Sequence, residues 1–367
     1  MPSIRGVRRA VSAPAPVAPT ASKGFSPRAL AAALGVAAVL GPLACGAQSA
    51  PSGWTNESSW TGRTSDGQPS LQGYWTNATV VPLQRPEALG DKAFYTEQEA
   101  ADYARKRLAP QRTQAGTTAD VHYQLEDYAL GNSASDIVKN LRTSLVVDPP
   151  NGRIPAALPE AAAKARERAE YQRVHAFDSA QDRSLSERCI LWSHEIPILP
   201  VGYNSSLQIV QSRGYVVVMT EMMPDARIVP LGDRPALPSS VPQWLGDSRG
   251  HFEGDTLVVE TTNFTGKTAV SGTDRNLVLS PDARVVERFK RIDEKTLLYR
   301  FTVDDPKTWT RPWTVEYPMA KIDGPMFEYA CQEGNYGLAN TLRGARAEEK
   351  AAAQAAASGK GAGAEAP

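Results

Sequence analysis

The stretch from Leu245 to Cys331 limits the fold more than any other part of the chain. In Lys295 to Val303, KTLLYRFTV, the residues Leu297, Tyr299, Phe301 and Val303 alternate with Leu298, Arg300 and Thr302. A period of two gives a strand with one apolar face and one mixed face. Ala283 to Ile292 repeats the pattern, with Val285, Glu287 and Phe289 on one face and Val286, Arg288, Lys290 and Ile292 on the other. Between these runs, Asp293-Glu294-Lys295 is a polar connection of hairpin length. Further back, Gly254-Asp255 supplies turn chemistry ahead of TLVVETTNF, a run rich in β-branched residues. Trp313 to Tyr317 and Met326 to Cys331 read as two more strands. Turn signals recur roughly every ten residues, which fits a sandwich or barrel and not alternating strands and helices. The expected fold is mainly β: an antiparallel barrel or strongly bent sheet with two or three peripheral helices.

The N-terminal half supplies the helices. Thr96-Glu97-Gln98-Glu99 is a capping box, and EAADYARKRLA continues the helix towards Pro110. Pro159 to Val174 is rich in Ala, Glu and Arg, with proline in the first turn and a thin apolar stripe, so it belongs on the surface. LQGYWTN and TSLVVD read as short strands, the second ending in the turn Pro149-Pro150-Asn151-Gly152. Leu207 to Val210 and Tyr215 to Met219 form a hairpin around Ser212-Arg213-Gly214, and ARIVPL, Ala226 to Leu231, follows. Trp54 and Trp60 stand in a polar arm, where packing over the body of the fold competes with covering a pocket mouth.

The two ends of the chain read differently from its middle. Residues 1–49 form a long leader with an apolar run, Ala29 to Leu43, preceded by Lys23 and Arg28 and followed by small residues. These are the flanks of a secretory signal peptide, and the run is short for a membrane span. Leu43-Ala44-Cys45-Gly46 suggests a lipid anchor at Cys45 as a second reading, weakened by Pro42 where an aliphatic residue is usual. Residues 348–367 are mostly Ala, Gly, Lys and Glu, a composition that can begin as a helix but cannot bury a core and is expected to be disordered, which leaves 50–347 as a single β-rich domain.

Charge and motifs narrow the function. The 40 basic and 40 acidic residues balance, so the basic footprint of a nucleic-acid binder is missing. Neither GxxxxGK[ST] nor GxGxxG occurs, and no cofactor is expected. His122, His175, His194 and His251 lack metal-ligand spacing, so no metal is expected either, and no GxSxG run suggests a serine nucleophile. Of the three cysteines, Cys189 and Cys331 follow the leader, and in an oxidising compartment they are expected to pair. The mature protein is therefore expected in the periplasm or outside the cell, without a transmembrane span.

The blocks RTSLVVDPPNGRIP, ERCI, DARIVPL, QWLGDSRGHFEGDTLVVETTNF, FTVDDPKTWTRPWT and EYACQEGNYGL resemble a family of exported bacterial proteins, across nearly the whole mature chain. The resemblance implies location and domain extent but no reaction. It also implies a histidine just ahead of DARI, where this chain has Pro224.

Carboxylates are the main candidates for chemistry. Glu287 and Glu328 each stand inside an apolar strand pattern. A carboxylate desolvated on a barrel's inner face suits acid–base work, although a structural ion pair with Arg288 or Arg227 has the same appearance in sequence. Asp225, Glu287, Glu328 and Tyr329 form the expected catalytic set, and Arg188 and Arg227 the expected ligand-binding arginines. All six are expected to converge near a Cys189–Cys331 bridge. Trp309 and Trp313, at i and i+4, would share a strand face and offer a stacking platform, with core packing as the competing reading. Two functions follow. One is an exported β-rich protein holding a small apolar, aromatic or glycan ligand in a barrel mouth. The other is an exported hydrolase or lyase using carboxylate acid–base chemistry on a carbohydrate-like or aromatic substrate. Clustering of Arg142, Arg188, Asp225, Arg227, Asp247 and Arg249 in one pocket would favour the enzyme.

Overall fold

In order along the chain the elements are β1 (Gly73–Thr76), α1 (Glu97–Leu108), β2 (Val146–Asp148), α2 (Pro159–His175), β3 (Ser206–Ser212), β4 (Tyr215–Thr220), β5 (Ala226–Pro230), β6 (Asp247–Glu253), β7 (Thr256–Thr262), β8 (Arg284–Arg291), β9 (Thr296–Asp304), β10 (Trp313–Ile322) and α3 (Tyr336–Ala357). They come from a computed structural model that describes residues 58–108, 140–192, 196–200, 204–223 and 225–358, all within the unit Ala50–Pro367. The leader, Cys45, Trp54, His122, His194, Pro224 and residues 359–367 lie outside the described residues.

The strands form one antiparallel sheet in the order β5-β4-β3-β1-β10-β9-β8-β7-β6, with β2 paired to β10. Alternation places Val285, Glu287 and Phe289 of β8 on the inner face, with Leu297, Tyr299, Phe301 and Val303 of β9 beside them. Trp313, Val315, Tyr317 and Met319 of β10 complete the row, and all of these side chains are buried. Each such apolar side chain contributes about 1.5–3 kcal/mol on burial. The sheet bends until its end strands approach: Leu231, just past β5, makes a parallel bridge with Gly250 of β6, and Gly232 N donates to Gly250 O at 3.1 Å. A Cβ at Gly250 would come within 2.9 Å of Leu231 Cδ2 and of Val229 Cγ1, so the glycine permits this approach.

The inner face also receives a segment that belongs to no strand. Ile196, Ile198 and Leu199 are buried in the same apolar core as the inner-face residues. Asn77 Nδ2 donates to Leu199 O at 3.2 Å.

Other expectations meet the structure at specific points. The capping box at α1 is formed, with Glu99 N donating to Thr96 Oγ1 at 3.2 Å and Thr96 N to Glu99 Oε2 at 2.8 Å. Helix α2 buries Ala161 and Ala165, the thin stripe expected of it. Cys189 and Cys331 are bonded, with Cα atoms 5.7 Å apart. Trp60 packs as part of an arm: its Nε1 donates to Ser70 O at 3.0 Å, and the Arg291 guanidinium lies 3.6 Å from its ring centroid.

One expectation is corrected. Met326 to Cys331 is not a strand; β10 runs on to Ile322 and the chain then continues without regular structure to Asn335. The stretch from residue 348 continues α3 as far as Ala357, and none of that helix is buried.

Candidate functional site

The charged residues expected to gather form separate pairs. Arg142 contacts Glu316 at 3.5 Å, Arg249 contacts Asp247 at 2.5 Å, and Arg227 pairs with Glu287. Asp225 is exposed beside the start of β5, and Arg188 lies half-buried next to Cys189. Glu328 is exposed and Tyr329 half-buried on the irregular segment before Cys331. Glu287 is 0 % exposed, so it and Glu328 do not line one cavity. Trp309 and Trp313 are both buried, packed edge to face with centroids 5.6 Å apart, so their faces belong to the core and form no open platform. His175 pairs with Asp178 at 2.7 Å and His251 with Glu253 at 3.2 Å.

What the sheet does bring together is a polar chain inside the core. Arg227 Nη1 donates to Glu287 Oε2 and Nη2 to Oε1, the second at 3.1 Å. Tyr299 Oη donates to Glu287 Oε1 at 2.6 Å and accepts from Ile198 N at 2.9 Å. Tyr317 Oη donates to Ile198 O at 2.9 Å. The two phenols thus bond both backbone groups of Ile198, the middle of the inserted segment, in an apolar setting. Burial pulls the Arg227 guanidinium down, and the Glu287 charge and hydrogen bonds more than offset that, leaving it raised. Burial, then the Glu287 charge, pushes Tyr299 and Tyr317 well above the ordinary phenol range. Both Glu287 oxygens are engaged and no face of it meets solvent.

A cavity of about 330 Å³ lies elsewhere, at the end of the sheet where β7 passes to β8 and β9 passes to β10. One wall is a face of α2 carrying Glu160, Ala161, Lys164 and Arg168. The other is built from Leu277, Val278, Ser280, Pro281 and Asp282 of one connection with Lys307 and Thr308 of the next. The walls are tied together. Leu158 N donates to Thr308 O at 2.9 Å, Thr310 N to Ala156 O at 3.1 Å, and Arg168 Nη1 to Asn276 O at 3.0 Å.

Asp305 positions the second wall. It is 2 % exposed, and its Oδ2 accepts from Ser280 N at 2.8 Å while Oδ1 accepts from Ser280 Oγ at 2.7 Å and Lys307 N at 3.1 Å. Lys164 Nζ donates to Glu160 Oε1 at 2.8 Å. That hydrogen bond and the Lys164 charge, with a further contribution from Lys307, hold the Glu160 carboxyl below its ordinary range. These groove residues were not among the expected site residues. The one legible signal was Asp305-Pro306, a turn signature whose Thr308 N donates to Asp305 O at 3.0 Å.

Comparison of the chain with protein-family models, with curated proteins and with solved structures gives no match.

Proposed function

We propose that the chain is an exported binding module whose sheet acts as a barrel, holding a small glycan-like ligand in the groove between α2 and the 277–282 and 307–308 walls. The observation that carries this reading is the groove itself: about 330 Å³, at one end of the bent sheet, lined by charges, hydroxyls and aliphatic carbon. Ser280 and Thr308 bring hydroxyl oxygens that each keep a lone pair to accept with, although Ser280 Oγ already takes the Asp282 N–H; Arg168 and the lysines bring donors, and Leu277, Val278 and Pro281 bring apolar contact. Of the ligand classes expected from the sequence, a glycan matches this mixture better than an aromatic or apolar molecule. The barrel reading is supported by the bridge between Leu231 and Gly250. Export is supported by the signal-like run at Ala29 to Leu43 and by the Cys189–Cys331 bond. Among the described residues no helix is long and apolar enough to cross a membrane.

The alternative, a carboxylate hydrolase or lyase, has less support. Its central acid, Glu287, is fully buried with both oxygens taken by Arg227 and Tyr299. Calorimetric titration of the mature protein with neutral and acidic oligosaccharides tests the binding reading. Saturable binding that disappears in Lys164→Trp, which fills the groove from an exposed position, is the expected result. Binding unaffected by Lys164→Trp, no binding at all, or turnover of a sugar lost in Glu287→Gln, would overturn it.

A further inference from the structure

Resting on the proposed binding function, we infer that the groove's ligand is an acidic sugar, whose acid group is taken by Arg168 and Lys307. The lining carries the cations Lys164, Arg168 and Lys307 against the carboxylates Glu160 and Asp282. Lys164 and Glu160 neutralise one another at 2.8 Å. Arg168 comes from α2 and Lys307 from the opposite wall; among the described residues neither lies within ion-pair distance of a carboxylate, and Lys307 feels Glu160 only as a minor charge contribution.

Both are placed to act as a clamp. One nitrogen of Arg168 donates to Asn276 O at 3.0 Å, which fixes the half-buried guanidinium and leaves its other donors for a ligand. Lys307 is held through its backbone by the buried carboxylate of Asp305, which also fixes Ser280. Asp305 is thus a positioning residue for the second wall. An acid group between Arg168 and Lys307 would receive charge-assisted hydrogen bonds from two sides. Its neighbouring hydroxyls would donate to Ser280 Oγ and Thr308 Oγ1, whose own protons are already given to Asp305 and to Val278 O. Asp282 lies on the exposed rim of the same wall and disfavours a second acid group close to the first.

The test uses one sugar skeleton in two charge states, galacturonic acid and its methyl ester. Titrations of the mature protein run in low and high salt. The acid is expected to bind about tenfold more tightly than the ester, equivalent to about 1.4 kcal/mol. The gap should close in Arg168→Gln, in Lys307→Gln and at high salt. Lys307 is exposed, so its variant keeps the test valid if Arg168→Gln loosens α2. Equal affinity for acid and ester would overturn the acidic-sugar inference and leave the binding function standing. Failure of both to bind would overturn both.

Discussion

Arg227 of β5 and Glu287 of β8 form a bidentate ion pair inside the core, joining one end strand of the sheet to a strand near its other end. In the hydrogen-bonded order β5 and β8 are separated by β4, β3, β1, β10 and β9, so the pair crosses the inner face of the bend.

A pair so buried has an asymmetric energetic signature. Arg227→Met alone should cost about 3–5 kcal/mol, because it strands a buried carboxylate. Replacing both, as Arg227→Met with Glu287→Leu, should recover most of that loss, since two desolvation penalties vanish together, falling short by about 1–3 kcal/mol for the Tyr299 hydroxyl left without its acceptor. Urea unfolding of the single and double variants measures this. A double variant no more stable than the singles would show that the pair contributes net stability.

The two phenols give a pH signature. Both keep their protons in the native state well above the ordinary phenol range, through burial and then the Glu287 charge. Below pH of about 10 folded and unfolded chains hold these protons alike, and the stabilisation is fully present. Above it the unfolded chain releases them first, so stability falls as pH rises towards the folded values, by up to about 1.4 kcal/mol per unit for each phenol. Tyr317→Phe should flatten the alkaline limb of a denaturation series while costing about 1–3 kcal/mol at neutral pH by orphaning Ile198 O. An unchanged alkaline limb would contradict the assignment.

Asp305 should behave as a fastener of the groove wall. Asp305→Ala removes the acceptor for Ser280 N, Ser280 Oγ and Lys307 N. A loss of about 1–3 kcal/mol is expected from the backbone donors left unpaired. Hydrogen exchange should show faster exchange at Ser280 and Lys307, with β8 and β9 unaffected.

The disulfide should act on one segment before it acts on the sheet. Helix α3 buries nothing; its start is held by Cys331, by Asn335 Nδ2 donating to Glu187 O at 3.1 Å and by Gln332 Nε2 donating to Arg188 O at 3.3 Å, and Arg346 Nη2 donates to Phe177 O at 2.9 Å. Cys331→Ser should expose residues 323–335 to limited proteolysis under conditions where the sheet stays intact. Global stability should fall by up to about 5 kcal/mol on the chain-entropy account of a 142-residue loop. Mass spectrometry of the fragments identifies the cut sites, and an uncut segment would refute the tether.

Strands β8 and β9 were legible because a period of two extends over their length, β10 only as far as Tyr317, and Glu287 stood out as one acid on an apolar face. Its partner was only half legible. Arg227 and Glu287 lie 60 residues apart in the chain, and nothing local distinguishes that pairing from one with Arg288. Trp309 and Trp313 do pack together, but Trp309 precedes β10, so they share no strand face, and sequence spacing does not say whether paired indoles meet a ligand or the core. Met326 to Cys331 failed as a strand because a short apolar run carries little periodicity. The groove was invisible for another reason: α2, residues 277–282 and residues 307–308 meet only after the fold forms, and each reads alone as ordinary surface.

The inserted segment at Ile196 to Leu199 has a consequence for how this chain reaches its native state. Its contacts close very long loops, 101 residues from Ile198 to Tyr299 and 119 to Tyr317. The sheet must bend far enough to present both phenols before Ile198 gains its two side-chain hydrogen bonds, yet without the segment the Tyr317 hydroxyl faces an apolar interior unpaired. Ordering entropy is spent early and rewarded late, so folding should be slow, and the intermediate should expose wet aromatic surface while it waits.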